Sequence, residues 1–199
     1  MKKKQLEILL ERMEGFHNPV PELEQYATPA CVAAEMLYLA YMHGDLGVVC
    51  DLGCGTGMLA VGAALLGAKA IGVEVDTQAL SVARRNADKM GVEVDFIQGD
   101  INSLALKGIE TVIMNPPFGA QRASHGDRAF LRKAVKTARV VYSLHNRGSE
   151  GFIRRFVEPC QIVEIYLIPF RMKRCFEFHS KEVKTFEVEL YRIACQQQT

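Results

Sequence analysis

From Val48 onward, short runs of β-branched and apolar residues alternate with stretches whose apolar positions recur every three or four residues. The runs VVCDL (48–52), KAIGVEV (69–75), VEVDFI (92–97), TVIMN (111–115) and VVYSLH (140–145) predict strands. Most are nearly continuous in apolar character, as expected of parallel strands covered on both faces by helices. Between them, GMLAVGAALLG, DTQALSVARRNADKMG, DRAFLRKAVKTA and SEGFIRRFVE predict helices, with Asp76, Asp127 and Ser149 suited to N-caps and Gly67 and Gly91 to stops. The tail, CQIVEIYLIPF followed by VKTFEVELYRIA, alternates as two longer strands joined by a basic loop, which predicts an antiparallel hairpin closing the sheet. Ahead of Val48, residues 1–13 and 29–43 have helical periodicity and flank the loop-like GFHNPVPELEQYATP. The expected fold class is α/β: a Rossmann-like, doubly wound, mostly parallel seven-stranded sheet with a C-terminal antiparallel hairpin. Residues 1–199 read as a single domain with an N-terminal helical extension at about 1–45.

Composition narrows the class. At 199 residues, 49% hydrophobic and 24% charged, the chain suits one core. The apolar run from Met58 is broken by Lys69 well short of a membrane span, and the amino terminus has no apolar leader segment, so a soluble, cytoplasmic protein is expected. None of the six cysteines forms a CxxC pair or a Cys/His cluster with zinc spacing; no metal site is expected, and free thiols in a reducing compartment are. The net charge of +1 conceals an asymmetry: residues 1–120 sum to −6 and residues 121–199 to +7. From Gln121 to Arg155, nine Lys/Arg residues meet only Asp127 and Glu150, a clustering that predicts a polyanion-binding surface.

The candidate chemistry lies at strand ends. VVCDLGCGTG places Asp51, Gly53, Gly55 and Gly57 at the turn from the first strand into a helix, where glycines let the backbone approach a ligand closely. Alone this turn fits nicotinamide and flavin proteins too. Glu74 ends the second strand, where a carboxylate can bind both ribose hydroxyls, and Asp100 follows the third, where one can accept from an adenine amino group. The fourth strand ends in NPPF, Asn115 to Phe118. Prolines stop the ladder and remove N–H donors, leaving a carboxamide, backbone carbonyls and an aromatic face that together suit a planar group bearing an amine.

The set DLGCGTG, GVEVD, GD and NPPF resembles the class I S-adenosylmethionine-dependent methyltransferases, and NPPF is similar to the motif of those that modify the exocyclic N6 of adenine. LEQYATP (23–29), DRAFL (127–131), VYSLHN (141–146) and FHSKEVKTFEVEL (178–190) extend the resemblance, across nearly the whole chain, to the small archaeal and eukaryotic methyltransferases that place N6-methyladenosine in small-subunit ribosomal RNA. Glu110 departs from the Asp that relatives often carry before the NPPF strand, away from the chemistry. The resemblance implies S-adenosyl-L-methionine as cofactor, with Gln25, Tyr26, Thr28, Asp51, Gly53, Gly55, Gly57, Glu74, Asp100 and Ile101 holding it. Asn115, Pro116, Pro117 and Phe118 are the catalytic candidates, and Arg122, Arg128, His179 and Lys181 the candidate contacts to substrate RNA; His125 is a further candidate beside NPPF. It also implies a small zinc-binding activator protein pairing with the edge strand at 92–97.

Three rival readings remain open. Glutamine side-chain methylation uses a related NPP-aromatic motif, since an amide nitrogen poses the same electronic problem, but those relatives usually carry Tyr after the prolines and an extra N-terminal helical domain. A non-catalytic RNA-binding module would need the basic surface without the cofactor pocket. A nicotinamide-dependent oxidoreductase would leave NPPF idle.

Overall fold

A computed structural model describes residues 1–117, 126–173 and 183–196, the side chains of 126, 171–173 and 183–185 excepted. The first helix is α1 (Lys3–Leu10), followed after a 3-10 turn at Pro21–Leu23 by α2 (Ala30–Met42). Alternation then begins: β1 (Val48–Leu52), α3 (Met58–Leu65), β2 (Lys69–Glu74), α4 (Thr77–Met90), β3 (Val94–Gln98) and β4 (Thr111–Met114). The second half runs α5 (Gly126–Thr137), β5 (Val140–Asn146), α6 (Glu150–Val157), β6 (Gln161–Lys173) and β7 (Val183–Ala194).

The strands form one seven-stranded sheet in the order β3-β2-β1-β4-β5-β7-β6. β1 to β5 are parallel, and β7 runs antiparallel to both β5 and β6, so the expected C-terminal hairpin is present. Alternation along the central strands sorts their side chains between two cores. Val49 and Ile113 join Leu6, Leu10, Met36 and Leu37 of α1 and α2, whereas Cys50, Leu52, Val112 and Met114 join Leu131 of α5 and Ile153 of α6. No side chain of β4 reaches solvent, which is why TVIM reads as an uninterrupted apolar run. No helix among the described residues is long and apolar enough to cross a membrane.

The order of strands fixes where a ligand can sit. From β1 the chain winds outward through β2 to β3, then returns to place β4 on the other side of β1. The crossovers leaving the carboxyl ends of β1 and β4 therefore diverge to opposite faces and open a crevice, the usual ligand position in such sheets. Both the glycine turn and NPPF leave from those two ends.

Several expectations are corrected. Val92 is not part of β3: its N–H donates to Ala87 O (3.1 Å) at the end of α4, and with Gly91 it closes that helix. Asp76 caps α4 by accepting from Gln78 N (2.8 Å), and Ser149 stands at the N-cap of α6 as expected, but its hydroxyl makes no cap bond and donates instead to Asn146 O (2.7 Å). Asp127 lies inside the first turn of α5. The expectation of free thiols fails at Cys160 and Cys195, which form a disulfide, while Cys31, Cys50 and Cys54 are free. The register explains the pairing: Gln161 opposes Ala194 across β6 and β7, so the residues just beyond that pair face each other.

Candidate active site

The glycine turn carries the first half of the site. Gly53 N and Cys54 N both donate to Val73 O (2.9 Å each), folding the chain back over β2 before α3 begins. A Cβ on Gly53 would come within 2.8 Å of the Phe130 ring, and one on Gly55 within 2.7 Å of the Phe16 ring. Both glycines also have positive φ, 73° and 51°. Only residues without side chains fit between backbone and rings at these two positions. Gly57 packs against Ala83 of α4, whose Cβ a Cβ at this position would approach to 3.1 Å.

The acids serve the turn unequally. Asp51 is 1% exposed and accepts from Ala60 N (3.0 Å) through Oδ2, pinning the start of α3 to the end of β1. Burial pushes its carboxyl up to about 8; the Ala60 N–H works against this and the nearby Glu74 charge adds to it. It faces a small inner recess beneath the glycine turn, not the main cleft. Glu74 reaches the cleft wall, where Oε2 accepts from Gly55 N (2.8 Å) and Oε1 from Val75 N (2.9 Å) and Asp76 N (3.1 Å). Three donors occupy most of a carboxylate's roughly four acceptor positions, so a diol gains two bonds only by displacing one N–H. Asp100 uses Oδ1 for Asn102 N (2.8 Å) and Nδ2 (2.9 Å), a local turn that holds its carboxylate on the cleft rim beside Ile101.

The segment between α1 and α2 closes the cleft from above. Asn86, fully buried in α4, accepts from Glu14 N (2.8 Å) and donates to Glu14 O (3.0 Å) and Thr56 O (2.9 Å), tying that segment to the glycine turn and setting Phe16 over it. Gln25 donates to Asp76 Oδ2 (2.8 Å), and Tyr26 meets Phe170 edge-on at 6.3 Å. The enclosed volume is about 400 Å³, within the usual range for small-molecule sites, and Phe16, Gln25, Tyr26, Gly53, Glu74 and Asn115 all line it. Phe16 and Phe130 had no signal in sequence beyond the glycines that make room for them.

Asn115 stands where β4 leaves the ladder. Its Nδ2 donates to Thr28 Oγ1 (2.9 Å), which orients the carboxamide, and its Oδ1 is buried and accepts no hydrogen bond from any of the described residues. A buried, unpaired carbonyl oxygen costs free energy unless a ligand supplies a donor, so this atom marks where an N–H belongs. Thr28 thus meets the site through Asn115 and through the inner recess. Pro116 is buried and Pro117 lines the cleft. Arg128 is exposed at the start of α5, next to the cleft-lining Ala129. Phe118, Arg122, His125, His179 and Lys181 lie outside the described residues.

A family model for the methyltransferase small domain matches residues 32–148. An uncharacterized protein of Methanocaldococcus jannaschii is 39% identical over 97% of this chain and 94% of its own length. The rRNA N(6)-adenosine-methyltransferase METTL5 of Danio rerio is 34% identical over 96% of this chain and 98% of its own. In three dimensions, a Pyrococcus horikoshii crystal structure assigned as a candidate RNA methyltransferase superposes with a TM-score of 0.88 at 39% identity, covering 99% of both chains. With its seven-stranded sheet, its glycine turn and its Asn-Pro-Pro strand end, this chain belongs to the methyltransferase small domain family, alongside the rRNA N(6)-adenosine-methyltransferases.

Proposed function

We propose that the protein transfers a methyl group from S-adenosyl-L-methionine to the exocyclic N6 of an adenosine in small-subunit ribosomal RNA. The observation that carries this reading is the buried Oδ1 of Asn115, without a partner among the described residues, beside a cleft of cofactor size. An adenine amine is a poor nucleophile because its lone pair is delocalised into the ring. Asn115 Oδ1 accepts one N6 hydrogen and the Pro116 carbonyl the other, which draws the nitrogen toward tetrahedral geometry and frees the lone pair. The prolines keep competing N–H groups away from these acceptors. Phe118 offers a stacking face for a base turned out of its helix.

The cofactor supplies an electrophilic methyl on a sulfonium. Glu74 would hold its ribose and the Asp100–Ile101 rim its adenine, with the backbone at Gly53 and Gly55 and the side chains of Gln25 and Tyr26 completing the cleft that would take it. Arg128, with Arg122, His179 and Lys181, contacts the RNA beside the target. Identity with rRNA N(6)-adenosine-methyltransferases over nearly the full chain supports this substrate class over glutamine. The partner is a small zinc-binding activator protein that extends the sheet at β3. β3 is an outer strand, as such pairing requires, and its Phe96 O already accepts from Arg84 (3.2 Å), a bond the partner would have to displace.

Incubation with methyl-labelled S-adenosylmethionine and, separately, small-subunit rRNA, large-subunit rRNA, transfer RNA and release factor tests the reading. Label should appear in the small-subunit RNA as N6-methyladenosine. Label in glutamine, or on a guanine or ring nitrogen, would overturn it.

A further inference from the structure

A second concavity lies at the opposite end of the sheet from the cleft, where α5 and α6 end, β6 begins and β7 finishes. Its volume is about 800 Å³, and Arg132, Lys136, Arg139 and Arg155 line it against one carboxylate, Glu158. All four cations are exposed. Arg139 is paired with Glu110 (3.3 Å), whereas Arg132, Lys136 and Arg155 make no ion pair with any carboxylate among the described residues. Cations at helix ends offset the macrodipole, and Lys136 and Arg155 stand in last turns. Arg132 and Arg128 stand one and two turns earlier, where that effect has faded, so helix stability does not account for them.

The spacing points to a track. Arg128, Arg132 and Lys136 recur every four residues and share one side of α5. That side faces α6, where Arg128 lies over the rings of Phe152 (5.9 Å) and Phe156 (5.5 Å), and Arg132 over Phe156 (5.3 Å). These stacks fix the two guanidiniums along the seam while leaving their N–H edges available. From Arg128, beside the cleft, to Lys136 the helix rise is about 12 Å, over which one strand of a duplex presents about three to four phosphates. Lys133 is not part of the track: its ammonium turns to the other side of α5 and donates to Leu104 O.

We propose that the seam between α5 and α6 and the basic groove at its foot bind the sugar-phosphate backbone of the substrate RNA at a distance from the target adenosine. The partner is RNA because the surface is cationic, elongated and continuous with the cleft. This rests on the RNA substrate proposed above. The track enlarges the footprint beyond the nucleotides near Asn115, so a long structured RNA binds more tightly than a short one carrying the same adenosine.

The test compares wild type with Arg132→Gln/Lys136→Gln/Arg155→Gln, using a long small-subunit rRNA fragment and a short oligonucleotide with the same target. The variant should bind the long RNA about tenfold or more weakly at about 0.1 M salt. Its log affinity against log salt should flatten by about two units, since each phosphate neutralised by a cation releases about 0.7–0.9 counterions and the variant neutralises up to three fewer. S-adenosylmethionine affinity and single-turnover methylation of the saturating oligonucleotide should be unchanged. Chemical footprinting of Lys136 in the unmutated protein, which asks nothing of the variant's folding, should show protection by the long RNA and not by the oligonucleotide. Equal affinity and equal salt slope in variant and wild type, or no protection of Lys136, overturn the track while wild-type methylation leaves the substrate reading standing. Protection by ribosomal protein but not by naked RNA would reassign the surface to a protein partner. An unmutated protein with no affinity for RNA overturns both readings at once.

Discussion

At the scale of single residues, the site depends on one carboxamide and on the hydroxyl that orients it. Replacing Asn115 by Ala removes the proposed acceptor for the N6 hydrogen. The single-turnover rate at saturating cofactor should then fall on the order of a hundredfold or more, with S-adenosylmethionine affinity retained. Thr28→Val leaves Asn115 in place but removes the acceptor for its Nδ2, so the amide loses its fixed orientation. A rate loss of about tenfold, with KM for RNA unchanged and recovery in Thr28→Ser, would identify Thr28 as a positioning residue; a normal rate in Thr28→Val would remove it from the account. Asn115 was legible because two prolines mark the strand end. Thr28 came only with the family resemblance, because nothing local links it to a residue 87 positions away.

At the scale of elements, the strand ends form the cleft wall, and Glu74 at the end of β2 holds the glycine turn that follows β1. Cofactor at a hundredfold excess over its dissociation constant should raise unfolding stability by about 2.7 kcal/mol. Glu74→Ala should lose much of that shift at the same concentration, because it frees Gly55 N and removes the proposed acceptor for the ribose. A full shift in the variant would place the ribose elsewhere. The strands themselves were readable, since burial on both faces makes a run such as TVIM unmistakable. Boundaries were harder. Val92 has strand character in sequence, but the end of α4 takes its N–H, and a side-chain pattern carries no information about backbone donors. For the same reason the motif does not announce the local contacts of Asp51 and Gly57, of which one holds the start of α3 and the other packs against Ala83.

At the scale of the whole molecule, the Cys160–Cys195 bond joins the first residue before β6 to the first after β7. Closing a loop with a sequence separation of 35 typically adds about 2–4 kcal/mol. Denaturant unfolding with and without reductant should show that difference, and Cys160→Ser/Cys195→Ser should abolish it. Identical curves would mean that the bond contributes nothing. The pairing was illegible beforehand because it follows from the register of β6 on β7, which only the folded hairpin defines. The charge asymmetry was legible as a sum but not as a shape: the cations of α5 divide between the α6 seam and the Leu104 loop according to helical phase.

The parallel pairing of β1 with β4 sets Asp51 opposite Ile113, so the glycine turn and Asn115 leave the ladder within two residues of each other. Hydrogen bonds between the two strands thus work as a caliper between the places proposed for methyl donor and acceptor. Its graduation is the rise of one residue, about 3.3 Å, and each step also turns a side chain to the other face of the sheet. Intermediate settings do not exist. The gap proposed for methyl transfer is consequently set by a count of backbone bonds within the two central strands.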